Sequence, residues 1–307
     1  MRKAFINSLT TISENDNRVM LLTGDLGFSV FENYREKFLD RFINMGVAEI
    51  NMTGVAAGLA MSGKVPFIYS IIPFVTMRNY EQIRNDLCYQ DVNVKIVGVG
   101  AGFSYGPYGH THHGLEDIAI LRVLPNITIF SPSDSVEVGF CMKKAMEIDG
   151  PVYIRLSRAE EKSLYENDGE LMVGKGSVLK KGNDVVIFST GALVHTALAV
   201  SGELAKKGIE ATIVSVHTLK PFHIETAETL IKEKKYVITI EEHSVIGGLG
   251  SIIAEVIADA GLSVPLVRIG VPDRFTKEIG NQDHMRDVNG LSVDRIMRRI
   301  EELGLFT

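Results

Sequence analysis

Short, continuously apolar runs recur along this chain, separated by stretches in which apolar residues return every three or four positions. Val19-Met20-Leu21-Leu22-Thr23, closed by Gly24-Asp25, is one such run, and Pro66–Ile71, Val94–Val99, Ile127–Phe130 and Pro151–Leu156 repeat the form. Each has strand length and no polar face, which predicts a strand buried on both sides. Helical spacing predicts helices at 2–14, 30–39, 77–89, 115–123 and 136–147, with a Gly/Ala-rich helix from about Thr53. Arg41–Val47 reads as a further strand, and Ser131-Pro132-Ser133-Asp134 as a turn capping the helix at 136–147. Strands alternating with helices predict a mostly parallel sheet covered on both faces.

From Ser157 to about Lys181 the pattern dissolves into charged and glycine residues, which reads as a linker carrying a short hairpin. The alternation then restarts. Strands are predicted at 185–189, 211–216, 236–240 and 264–269, and helices at 194–207, 224–234, 248–260 and 293–302. The expected fold is α/β in two domains, each a mostly parallel sheet flanked by helices. Their expected bounds are 1–160 and 182–307, with 161–181 as linker. The halves share a class but no repeat at the level of sequence.

Composition narrows the function classes. At 307 residues, with 45% hydrophobic and 23% charged residues, the chain is long enough for two ordinary globular cores. A net charge of −6 gives no basis for binding nucleic acid. Cys88 and Cys141 are too few for a disulfide framework, which points to a reducing compartment. The first residues lack a signal-peptide core and no apolar run reaches a membrane span, so a cytoplasmic location is expected.

The candidate chemistry sits in a few places. Glu49 is a lone carboxylate between an apolar segment and the Gly/Ala helix. It either caps that helix through the helix's own N–H groups or has a partner elsewhere. Gly98-Val99-Gly100-Ala101-Gly102 follows a strand, but its spacing is wrong for a dinucleotide loop. Gly247-Gly248-Leu249-Gly250-Ser251 opens a helix, as an anion site or a tight packing turn. His110-Thr111-His112-His113 is the densest polar cluster in the chain. His110 and His112 face one way on an extended loop, yet a third ligand is not evident, so a substrate- or cofactor-facing role is preferred to metal binding. Arg158, after the last strand of the first domain, has the planar fork that binds phosphate or carboxylate. No G-x-S-x-G elbow occurs.

The ordered motifs Thr23-Gly24-Asp25-Leu26, Arg41–Glu49, Glu81-Gln82-Ile83-Arg84-Asn85, Gly109-His110-Thr111-His112-His113, Leu124-Pro125-Asn126 and Ser131-Pro132-Ser133-Asp134 carry a resemblance. Across nearly its whole length the chain resembles the C-terminal half of a transketolase, which archaea and many bacteria encode as a separate subunit. Deoxyxylulose-phosphate synthase and the beta subunits of 2-oxo-acid dehydrogenases share its two domains. The resemblance implies thiamine diphosphate and Mg2+ as cofactors. It gives Glu49 the role of bonding a ring nitrogen of the aminopyrimidine, favouring the imino tautomer whose exocyclic nitrogen removes the thiazolium proton. Phe74 is the candidate to stack on that ring. Ile71, which stands where a further aromatic is usual, and Arg78 in the same segment are the other candidate cofactor contacts. Pro73 is unexpected there. His112 matches the active-site histidine of the family's Gly-x-Thr-His-Gln motif, and Arg158 the arginine that holds a sugar phosphate.

Departures from the family pattern are specific. Where the family has Gly-Glu-Asp-Gly, this chain has Gly106-Pro107-Tyr108-Gly109, so a phenol replaces the acid that bonds a ketose hydroxyl. His113 replaces the usual Gln, and no arginine follows Gly24-Asp25. His110, His112, His113, Tyr108 and Arg158 are thus the candidate substrate contacts. Nothing matches G-D-G followed some 25 residues later by N-N, the family motif for magnesium and diphosphate. The resemblance therefore implies an N-terminal partner subunit that holds most of the cofactor, in a heterotetramer. The implied activity is transfer of a two-carbon ketol unit. A beta subunit acting on a 2-oxo acid, or a non-catalytic regulatory partner of a thiamine enzyme, are the alternatives.

Overall fold

The computed structural model describes residues 1–27 and 29–304. The first sheet has seven strands. In chain order, six of them are β1 (Val19–Thr23), β2 (Phe42–Asn44), β3 (Val65–Ile71), β4 (Lys95–Val99), β5 (Thr128–Phe130) and β6 (Val152–Leu156). The second sheet holds β7 (Ser177–Lys180), β8 (Val185–Ser189), β9 (Ala211–Ser215), β11 (Tyr236–Ser244) and β12 (Leu266–Val271). Between them in sequence, β10 (Thr218–Lys220) crosses back and pairs antiparallel with β5, which makes the spatial order β10-β5-β6-β4-β3-β1-β2. The other pairings of this sheet are all parallel. The second sheet runs β12-β11-β8-β9-β7 and is parallel except at its β7 edge. The two sheets thus do not divide at a single point in the chain.

Alternation along each strand serves two cores. Met20, Leu22, Ile68 and Ile96 face the Glu49–Met61 helix, in a cluster that also contains Val186, Phe188 and Leu249 of the second domain. Val19, Leu21, Phe67 and Val97 face the Arg2–Asn15 and Ser135–Glu147 helices through Phe5, Leu9 and Cys141. The strands lack polar alternation because both faces are covered. A third cluster fills the outer side of the second sheet.

Several expected elements are shorter, displaced or new. Only Phe42–Asn44 of the Arg41–Val47 segment pairs as strand, because Gly46 turns at φ +70°. The Asn44 side chain ties that turn, accepting from the N–H of Gly46 and of Asp25 at 3.0 and 3.1 Å. The Gly/Ala helix consequently starts at Glu49, before the expected Thr53. The helix expected at 77–89 is broken. A short helix, Ile72–Thr76, leaves β3 directly with Pro73 in its first turn, where a missing N–H costs nothing. Residues 77–79 then turn so that buried Asn79 donates to Thr53 Oγ1 at 2.6 Å, and Ile83–Tyr89 continues with π-helical bonding. In the expected linker there is no hairpin, since Ser177–Lys180 pairs with distant β9. The pattern did not predict β10 or the Gln282–Val288 helix. Among the described residues no helix is long and apolar enough to cross a membrane.

Candidate active site

The parallel strands of the first sheet all point their carboxyl ends to one edge, and the candidate residues follow those ends. Glu49 comes after β2, Phe74 and Arg78 after β3, the histidine loop after β4 and Arg158 after β6. The order β6-β4-β3-β1-β2 therefore gathers them along a single rim, the position at which open α/β sheets bind ligands.

Glu49 is fully buried, and the choice between capping and partnering is resolved in favour of partners. Ala48 is the N-cap of its helix and no side chain caps it. The carboxylate instead accepts from Ser70 Oγ at 2.8 Å through Oε1 and from Arg78 Nη1 at 2.6 Å through Oε2. Gly24 makes room for it, since a Cβ there would stand 3.0 Å from Glu49 Oε1. The break at 77–79 turns Arg78 toward Glu49, and its guanidinium also lies over the Phe74 ring at 4.5 Å. Arg78 keeps 39% of its side chain exposed, so the pair is sealed on the protein side and open on the other. Ile71, by contrast, ends β3 inside the apolar core, with Phe74 packed against that core from its edge.

His112 lies at 5.2 Å, edge to face, from Phe74 and 5.4 Å from Tyr108. Its Nδ1 is 3.0 Å from Thr111 Oγ1, and partial burial pulls its pKa below the ordinary value. His110 is exposed and packs at 4.5 Å on Phe275 of the second domain. The expectation that His110 and His112 face one way is therefore corrected. They sit on a tight turn, one against each domain, and among the described residues no cluster of three metal-ligating side chains exists. His113 points inward against Phe103 at 5.1 Å, with a buried, unpartnered Nδ1. Tyr108 is 60% exposed at the mouth of the site.

Arg158 is exposed, with its guanidinium 5.4 Å from the Tyr105 ring. Sequence reasoning missed its companion. The Met1 amine donates to Ala159 O at 2.9 Å, which docks the start of the first helix beside the end of β6. Arg2 thereby joins Arg158 near Tyr105. Burial raises the Tyr105 phenol, and both arginines oppose that rise. Arg2 Nε has no hydrogen-bond partner. No motif or spacing signalled it.

Two glycine segments resolve as packing. At Gly98 a Cβ would stand 2.8 Å from Ile72 and 2.9 Å from the Tyr153 hydroxyl, and no helix opens after Gly102. At Gly247–Ser251 the helix start does hold an anion, but it is the chain's own Glu241. That carboxylate accepts the N–H groups of Leu249 and Gly250 at 2.7 and 2.8 Å. Burial outweighs those bonds and raises Glu241 to about 7, while burial lowers neighbouring His243 to about 4.

Two sheets of this order, with a buried carboxylate, an aromatic ring and a histidine on the carboxyl rim of the first, define a class. The chain belongs to the transketolase family: residues 1–162 match the transketolase pyrimidine binding domain and residues 174–296 the transketolase C-terminal domain. Within that family it is similar, almost end to end, to single subunits of split enzymes. One of these, from an apulose-4-phosphate transketolase of Actinobacillus succinogenes, is 40% identical over 262 residues, 85% of this chain and 84% of that protein. Another, from a 6-deoxy-6-sulfo-D-fructose transketolase of a Clostridium species, is 38% identical over 304 residues, 99% of this chain and 94% of that protein. A solved split-gene transketolase, described as an inactive beta4 tetramer, superposes with a TM-score of 0.89 at 37% identity, covering 98% of this chain and 97% of that one.

Proposed function

We propose that this chain is the pyrimidine-domain subunit of a two-chain, thiamine-diphosphate-dependent ketol transferase. The observation that carries the reading is the buried Glu49 carboxylate. It ignores its own helix and is oriented by Ser70 and Arg78, and the Arg78 guanidinium in turn lies over the Phe74 ring against which His112 packs. These residues suit the pyrimidine end of the cofactor: a carboxyl to share a proton with a ring nitrogen and an aromatic face beside it. Thiamine diphosphate, once bound, supplies the carbon nucleophile that cleaves a ketose next to its carbonyl. The chain's own part is to present the Glu49 carboxyl to the ring nitrogen and to keep Phe74 and Ser70 as fixed walls. His112, whose pKa burial lowers, stands where it can hydrogen-bond a substrate oxygen.

Arg2 and Arg158, converging on Tyr105, suit a substrate with an anionic end. The phosphate and sulfonate in the names of the two relatives accord with that. A 2-oxo-acid donor is the second reading, favoured by Tyr108, a neutral phenol in place of the family's acid. In the leading reading Mg2+ and the diphosphate are held by a partner subunit. Exposed Val47 and Ile50 beside Glu49, with open space at Gly54 and Gly58, form a low apolar face suited to another subunit.

The test is reconstitution with a chain carrying G-D-G followed by N-N, assayed with ketose phosphates and with pyruvate. Ketol transfer by the mixture and none by either chain is the expected result. Turnover by this chain alone, or pyruvate consumption without ketose cleavage, overturns the leading reading.

A further inference from the structure

The histidine loop leaves the first sheet but is held by the second domain. Its two ends, Phe103 and Leu115, are buried in the second domain's apolar cluster with Val185, Ile187, Ile240 and Met285. Inside the loop, the bonds from the N–H of Tyr108, His112 and His113 run only to Tyr105, Gly109 and His110. Such turns shape the loop without fixing it relative to the sheet. The first sheet holds the start of the loop through the Gly100 and Ala101 N–H groups on Leu156 O and, at 3.5 Å, the Arg158 N–H on Ser104 Oγ, and the second domain adds a tie through Glu242, on β11. Its Oε1 accepts the Phe103 N–H at 2.9 Å and Gln282 Nε2 at 3.1 Å, and its Oε2 accepts Arg286 Nη2 at 2.7 Å. Gln282 Nε2 also lies 3.4 Å from Ser104 Oγ. The approach is close: Gly102 has φ +60°, and a Cβ there would stand 2.3 Å from Glu242 Cγ. Further along, a Cβ at Gly106 would stand 2.4 Å from Gly280 O.

We propose that Glu242 is a positioning residue for the candidate active site: pinned by Gln282 and Arg286, it holds the Phe103 N–H and so fixes the loop that sets His112 against Phe74. The second domain thereby sets the geometry of a site whose carboxylate, Phe74 ring and His112 all come from the first. A buried carboxylate with donors on both oxygens is rigid, and a rigid acceptor is what a loop of short-range turns needs from outside. Arg155 supplies the matching tie at the other end, donating to Gly114 O at 2.7 Å and to Glu242 O at 3.0 Å.

The test uses the full chain and two variants. Glu242→Gln is isosteric but sets an amide against Arg286, and Gln282→Leu leaves the Glu242–Arg286 pair in place. Hydrogen-exchange mass spectrometry should show amides 103–113 exchanging about 10- to 100-fold faster in Glu242→Gln, with β8 and β9 unchanged. Gln282→Leu should give a smaller acceleration confined to the same segment, and it carries the test should Glu242→Gln not fold. NMR titration of the histidine rings adds a readout of opposite sign to simple electrostatics. The ionisable groups acting on His113 are His110, His112 and Glu242, and Glu242 raises its pKa while burial lowers it. Loss of the negative charge alone lowers His113 further, whereas release of the loop into water raises both His112 and His113 toward the ordinary histidine value of about 6.5. Loop exchange within twofold of the unmutated chain, or uniform acceleration across all segments, overturns the proposal. The link to catalysis rests on the reading of His112 given above, but exchange and titration report on the loop whether or not that reading survives.

Discussion

Replacing Glu49 by Gln separates structural from chemical roles at the centre of the site. The substituted side chain keeps an oxygen to accept from Ser70 but turns an amide toward Arg78, so one charge-assisted bond is lost. Such bonds contribute about 1.5–3 kcal/mol when fully sheltered. Arg78 is 39% exposed and water re-solvates it, which reduces the expected loss of stability to about 1 kcal/mol. The chemical loss is much larger. An amide cannot exchange a proton with a ring nitrogen, and removal of a general acid–base group costs about 10²–10⁴-fold in rate. Urea unfolding of the chain alone measures the first effect. Deuterium exchange at the reactive carbon of thiamine diphosphate, followed by NMR in the reconstituted pair, measures the second. Exchange at the unmutated rate would remove Glu49 from the mechanism. Destabilisation of several kcal/mol would show that the carboxylate is chiefly structural.

Other consequences are equally measurable. Asp117 is buried and accepts both the Tyr153 hydroxyl at 2.6 Å and Arg155 Nε at 2.8 Å on one oxygen. Asp117→Asn should cost about 3–5 kcal/mol in urea unfolding, because it strands a buried guanidinium; a loss under about 1 kcal/mol would contradict this. Glu241 and His243 form a pH test. Glu241, raised to about 7, favours the fold when protonated, and that contribution is lost as pH rises from about 4.5 to 7. His243, lowered to about 4, favours the fold when neutral, and its contribution is gained between about 4 and 6.5. The two slopes nearly cancel in the native chain. Glu241→Gln should therefore gain on the native chain by up to about 3 kcal/mol between pH 4.5 and 7, and a pH-independent difference would refute the assignment. Arg158→Met in the reconstituted enzyme should raise KM for phosphorylated donors about 10- to 100-fold while leaving phosphate-free ketoses unchanged. An equal effect on both would move Arg158 out of the anion site.

What the sequence determined by itself is local. Mostly apolar runs of strand length mark β1, β3, β4, β6 and β8, with Lys95 in β4 and Arg155 in β6 as buried charges, because a strand covered on both faces needs little information beyond its own residues. The order of short motifs carries the family. Where one residue redirects the chain the pattern was misleading. Gly46 ended β2 early, and Asn79, turning inward to Thr53, broke what reads as a single helix.

Only the tertiary structure decided which side chains meet. Glu49 faces Arg78 across 29 residues because β1 lies between β2 and β3, and Arg2 and Arg158 both act on Tyr105 because the Met1 amine docks on Ala159. Glu241 fills the helix start that reads, in isolation, as a place for a foreign anion. Glu242, its neighbour in the chain, turns to the opposite face of β11 and holds the histidine loop. Hydrophobic period reports which face of an element is buried, and strand order and register then fix what that face meets.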